Sequence, residues 1–244
     1  MTIALRGTPT GANDYAGTTV TINYPTGHTT NDERVLAVSH AYSGTVGNTD
    51  PTGWTALTND VRTNGIYSVR QKTYWRVDDG SLGSSLTITH VAGGGAHALM
   101  YAFSGASTSA PDAAQYGSAN ASSATCDFPA LGTWASNNGY DLALAAFYSP
   151  SNYPTSGDPS GYTSGPSTAD VVWGSAHGSH KAVTGVTTVG ALTAVWSGTN
   201  MNVGGHIFIK EPAEAGGGTL FLMLEDNSGS YELEDGSGGT LLES

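Results

Sequence analysis

The chain is predicted to be all-β, with two tandem antiparallel β-sandwich domains of jelly-roll or immunoglobulin-like type followed by a short C-terminal β-meander. Three observations carry that expectation. There are 34 glycines in 244 residues and only 11% charged residues, a composition poor in helix formers and rich in turn formers. Apolar residues arrive in short alternating runs, as half-buried strands require, and no run shows the 3.6-residue period of an amphipathic helix. Finally, one stretch occurs twice. Asn31 to Ser43 (NDERVLAVSHAYS) returns as Asn137 to Ser149 (NNGYDLALAAFYS), and each copy is followed by a related turn, Asp50-Pro51-Thr52-Gly53-Trp54 and Asp158-Pro159-Ser160-Gly161-Tyr162. Equivalent residues stay near 106 apart, so the chain reads as a tandem duplication.

The first domain is expected over 1–106. Thr19 to Asn23 alternates polar and apolar residues and ends at Tyr24-Pro25, where proline removes a ladder donor. In the duplicated strand, Leu36 and Val38 fall on one face and Ala37 and Ser39 on the other. In the turn that follows, Pro51 pre-sets the bend and Gly53 supplies a permissive backbone before Trp54 turns inward. Ile66 to Val77 alternates a core face with a face carrying Arg70, Lys72 and Arg76. Asp78-Asp79-Gly80 marks a turn, Leu86 to Val91 a further strand, and Ala96 to Phe103 closes the copy after Gly93-Gly94-Gly95.

The second domain, 107–212, repeats the plan, with Thr125 to Pro129 matching the first aromatic-proline strand and Leu192 to Trp196 and His206 to Lys210 closing it. The two domains are expected side by side. Beyond them, 213–218 is a Gly-rich linker and 219–244 an acidic tail in which Leu224-Glu225-Asp226 returns as Leu233-Glu234-Asp235 and again begins at Leu242. Strands this short do not bury a core alone, so the tail is expected to dock or oligomerise through Leu224, Leu233 and Leu242.

Charge narrows the function classes. Residues 1–210 carry 12 acids and 8 bases, whereas the remainder holds 8 acids and no base. A basic surface for nucleic acid is not expected. Neither membrane insertion nor a signal peptide is expected, because no apolar run reaches the ~20 residues of a span. The single Cys126 forms no internal disulfide.

The residue clusters that could carry chemistry also have plainer readings. His177 and His180 are close enough to share a metal but lack a neighbouring acid. His97 and His206 fall at equivalent places in the two copies, which suits a packing role. Asp78 and Asp79 read as a turn, and the tail's acidic repeats lack a calcium-roll pattern. No catalytic residue, metal or cofactor is therefore expected. Trp54 and Tyr162, with Gly53 and Gly161, read as structural anchors, while Arg70, Lys72 and Arg76 are a candidate docking face for an acidic partner.

The runs Val35 to Val38, Pro51-Thr52-Gly53-Trp54-Thr55, Tyr74-Trp75-Arg76-Val77-Asp78 and Ala98 to Gly105 resemble β-sandwich modules of bacteriophage virion proteins, and the tail repeats are similar to those of phage structural proteins. The second copy departs by placing Tyr162 for tryptophan and lacking the Tyr-Trp-Arg-Val run near Lys181. The resemblance implies a non-enzymatic virion component, made in the host cytoplasm, that decorates the capsid or forms a head or tail appendage. Its partners would be other virion proteins and its own copies. The alternative is a tail-associated adhesin that binds a receptor or host-surface glycan.

Overall fold

The computed structural model describes residues 2–44, 46–133, 137–148, 157–170, 173–212, 223–225, 231–234 and 240–242, with side chains described outside 115–123, 197–200 and the last three segments. Strands and no helices occur among these residues, as the glycine-rich composition and alternating runs predict. The chain divides into two units, 1–211 and 212–244.

The first copy supplies β1 (Ala4–Leu5), β2 (Thr10–Asp14), β3 (Thr19–Asn23), β4 (Glu33–Tyr42), β5 (Thr55–Asn64), β6 (Tyr67–Val77), β7 (Ser85–Thr89) and β8 (Gly95–Ser104). The second supplies β9 (Asp112–Phe128), β10 (Asn137–Tyr148), β11 (Thr163–Ala169), β12 (Gly174–Val186) and β13 (Leu192–Lys210). The first sheet runs β1-β8-β4-β6-β5, with β2 also paired to β8, and the second runs β11-β12-β10-β13-β9. The second order is the first with each strand replaced by its repeat equivalent, so the duplication extends to topology. A separate β3-β7 pair covers the outer face of the first sheet. In the second copy β9 and β13 serve both layers. Asp112 to Ser118 pairs with Asn202 to Phe208 in the sheet, and beyond two register breaks Thr125 to Phe128 pairs with Leu192 to Val195.

Packing explains why β4 and β10 carry apolar residues on both faces. Leu36 and Val38 point to Val20, Ile22 and Ile88 of the outer layer, while Val35 and Ala37 point the other way. There they meet Leu142, Leu144, Ala176, Ile207 and Ile209 of the second copy. On the far side of β10, Ala143, Ala145 and Phe147 lie under Cys126, Phe128, Ala194 and Trp196. Both central strands are thus buried on two faces, which favours near-continuous apolar sequence.

The copies expected over 1–106 and 107–212 lie within one compact unit, 1–211. Each copy builds a sandwich with its own outer layer, but the two larger sheets close their inner faces on each other. Further contacts cross between the copies: His97 meets Thr168 and Asp170, each at 3.1 Å, and Tyr42 sits against Trp173, Tyr67 against Tyr148 and Phe103 against Tyr140. The approach is tight, and a Cβ built on Gly178 would collide with the Tyr101 hydroxyl.

The shared face also buries a carboxyl. Glu33 is 1% exposed, and neither of its oxygens has a hydrogen-bond partner among the described residues. Burial pushes it up to about 8, against the pull of Lys210. Because the folded value lies above the ordinary 4.5, this group's contribution to stability is complete below about 4.5 and is lost as pH rises through about 8. Glu33→Gln, which imitates the protonated acid, is expected to match the parent in urea unfolding at acidic pH and to exceed it above pH about 8. Equal stability of the two proteins at alkaline pH would contradict this reading.

In the second unit, β14 (Met223–Glu225), β15 (Tyr231–Glu234) and β16 (Thr240–Leu242) form a three-stranded antiparallel sheet in sequence order. This is the expected meander, and its separation from the body falls at the expected change of composition after Glu211.

Candidate interaction surfaces

The two Asp-Pro-x-Gly turns adopt the same form. Gly53 has φ +79° and Gly161 φ +81°, left-handed values that glycine takes without steric cost. The N–H groups of Trp54 and Tyr162 donate to Pro51 O and Pro159 O at 3.1 and 3.0 Å. Trp54 is 8% exposed, inside the outer core of the first copy. Tyr162 packs against the corresponding core of the second, and its hydroxyl donates to Asp141. The other Asp141 oxygen lies 2.7 Å from His206 Nε2, and His206 Nδ1 lies 2.6 Å from Pro129 O. His206 Nδ1 thus meets a backbone acceptor, while its Nε2 lies close to Asp141 without a hydrogen bond among the described residues, and the Tyr162 hydroxyl takes the other Asp141 oxygen.

The cationic stripe is not uniform. Lys72 Nζ donates to Asp50 Oδ1 at 2.5 Å, and Arg76 Nη2 to Asp79 Oδ2 at 2.9 Å. Arg70 instead donates through Nε to Asn59 Oδ1 at 2.8 Å and forms no ion pair among the described residues. Alternation along β6 places the three cations on one face, but the acids that neutralise two of them come from flanking turns. Lys72 restrains Asp50 below the usual carboxylate range, with burial opposing it and the Tyr74 hydroxyl helping. Arg70 lines a cleft of about 280 Å³ between the 47–49 and 89–91 segments.

Asp78 and Asp79 diverge, as a turn requires. Asp78 is 2% exposed, accepts from Arg34 and takes the Gly80 N–H at 2.8 Å. Asp79 is exposed, and hydrogen bonds from the Ser81 hydroxyl and N–H, joined by Arg76, hold it down to about 2. His177 and His180 separate across β12. His177 meets Asp158 at 2.8 Å on the outer side, where Ser179 donates to the same oxygen at 2.5 Å. His180 lies beside Tyr101 on the shared face. No group of three or more His, Cys, Asp or Glu that could hold a metal occurs among the described residues. The acidic repeat turns at 226–230 and 235–239 lie outside the described residues.

The expected equivalence of His97 and His206 is corrected. His97 points from β8 into the second copy, whereas His206 points from β13 to its own outer layer, beside Phe128. The spacing is the reason: the two are 109 residues apart, three more than the repeat, and an odd difference reverses the face. Met100 and His206, 106 apart, both face the outer layers. β4 and β10 carry a slip of their own, since Leu36 faces the outer layer and Leu142, its partner by letter matching, the shared core. A shift of one residue reverses every side chain of a strand. Sequence reasoning also missed the hydrogen-bonded row Asp170, His97, Thr168. Its order matches that of a hydrolytic triad, yet it lies wedged between the sheets with Thr168 only 8% exposed, where it clamps one copy to the other.

In the tail, the register sets Leu233 opposite Met223 and Leu241, whereas Leu224 and Leu242 stand opposite Glu232. The three leucines singled out by the repeat therefore do not share one register row. No protein-family model, no curated protein and no solved structure matches the chain.

Proposed function

We propose that the protein is a non-enzymatic structural component of a bacteriophage virion, decorating the capsid or forming a small head or tail appendage. The division of the chain at Glu211/Pro212 carries the reading: a large doubled β body is followed by a unit of three very short strands. Three strands of three or four residues bury little by themselves, and such a sheet offers two outer strands for pairing with another chain. Strand addition supplies main-chain hydrogen bonds and a fixed register, which suits attachment to a shell protein or to sister copies. The sequence resemblance adds the virion context. The body then acts as a stable block held at the particle surface.

The test is a chain truncated after Ala215. It is expected to keep the circular dichroism and melting behaviour of the full chain, to lose incorporation into particles, and to scatter light as a smaller species if the full chain is oligomeric. Normal incorporation by the truncated chain would transfer the contacts to the body and refute attachment through the tail.

A further inference from the structure

The cleft beside Arg70 is built before any ligand arrives. Asn48 forms an antiparallel bridge with His90, Thr49 N–H donates to Thr89 O at 2.8 Å, and Val91 N–H donates to Gly47 O at 3.0 Å. The 47–49 segment is thereby fixed against the 89–91 segment at the end of β7. Gly47 N–H also donates to His40 Nδ1 at 3.0 Å, while His40 Nε2 meets Gly93 O at 2.8 Å. Burial lowers His40 to about 4, so its ring stays neutral and keeps Nδ1 as an acceptor at ordinary pH. His90 is held by Asp14 at 3.1 Å and by Val91 O at 2.9 Å. Walls fixed in this way cost little ordering on binding.

Into this frame Arg70 brings a positive charge that forms no ion pair among the described residues, although Asp50, already paired with Lys72, lies within its field. Asn59 orients its Nε, leaving the two terminal nitrogens of the fork. Gly47 makes room for one of them, since a Cβ there would stand 2.9 Å from Nη1. The remaining lining suits a hydroxylated molecule. Thr49 and Thr89 are exposed, and Asn48 contributes an amide whose N–H groups are directed to Tyr74 and Thr49 O. Val91 is 40% exposed, an apolar surface for C–H groups.

We propose that this cleft binds the terminal acidic sugar of a glycan, a uronic or sialic acid residue, with its carboxylate on the Arg70 guanidinium. Arginine meets a carboxylate through two parallel hydrogen bonds, and one such pair orients the sugar ring. A cleft of about 280 Å³ is sized for one or two sugar rings. An extended polyanion fits poorly, because the chain carries a net charge of −12 and Arg70 is the one cation lining this cleft among the described residues. The site stands on residues of the first copy and does not depend on the virion reading.

The test is an NMR titration of the full chain with methyl glucuronide and N-acetylneuraminic acid at millimolar concentration, beside methyl glucoside and inorganic phosphate. At least one acidic sugar is expected to shift the Gly47–Thr49 and Thr89–Val91 amides, and the neutral sugar is not. Arg70→Gln is expected to weaken binding at least tenfold, while Arg76→Gln, with the same change of net charge, leaves it within twofold. The Arg70→Gln melting temperature is read alongside, and Arg70→Lys serves as a second variant, expected to retain charge but lose affinity. No binding of either acidic sugar, equal binding by Arg70→Gln, or phosphate binding as tightly as the sugars would overturn the proposal.

Discussion

Truncating Trp54 to alanine is expected to destabilise the body by about 3–5 kcal/mol, the usual cost of removing a large buried aromatic. The indole is 8% exposed and belongs to the cluster that joins Val20, Ile22 and Ile88 of the outer layer to Leu36, Tyr74 and Met100 of the first sheet. Those neighbours are strand residues in fixed register, so the cavity has little freedom to collapse. Tyr162→Phe makes an informative companion. It keeps the ring and removes the hydroxyl that donates to Asp141, a residue with 0% exposure, so a smaller loss of about 1–3 kcal/mol is expected. Urea unfolding of both variants checks the pair. A Trp54→Ala midpoint equal to that of the parent would show that the ring lies at the surface.

Asp78→Ala is expected to cost a similar 3–5 kcal/mol, because it strands a buried cation. Arg34 has 0% exposure, and its Nε and Nη1 find no acceptor among the described residues. The compensation for burying this charge therefore rests on Nη2, which contacts Asp78 and, at 2.5 Å, His28 Nδ1, and on the Tyr24 ring 4.5 Å from the guanidinium carbon. Removing Asp78 leaves the guanidinium with an imidazole and a ring face. Replacing both partners, as Arg34→Met with Asp78→Leu, is expected to recover most of the loss, since an apolar pair carries no desolvation cost. Chemical denaturation of the single and double variants measures the difference. A single variant as stable as the parent would contradict the buried pair.

Much of this architecture was legible in the residues. The left-handed Gly53 and Gly161, the inward aromatic that follows each, and the alternation of Leu36 and Val38 against Ala37 all follow from local chemistry. What lies across each face was not legible. β4 and β10 are buried on both sides, so alternation gives the period of a strand without naming its partner, and the one-residue slip between the copies stayed hidden. Gly204-Gly205 reads as a break in sequence, yet both residues lie within β13, and Gly204 lets the returning outer layer approach, where a Cβ would collide with Asp127 O. The candidate cleft is assembled from three separated segments. Nothing local to Arg70 distinguishes it from Lys72 and Arg76 until the positions of Asp50 and Asp79 are known.

The shared core makes one strong demand, that the two copies unfold together. Differential scanning calorimetry of the full chain measures this directly. At about 0.7 kcal/mol per residue, a body of 211 residues is expected to melt in one transition of about 150 kcal/mol, with calorimetric and van't Hoff enthalpies equal. Two resolved transitions of about 75 kcal/mol each, or a calorimetric enthalpy near twice the van't Hoff value, would show two independent sandwiches and contradict the account.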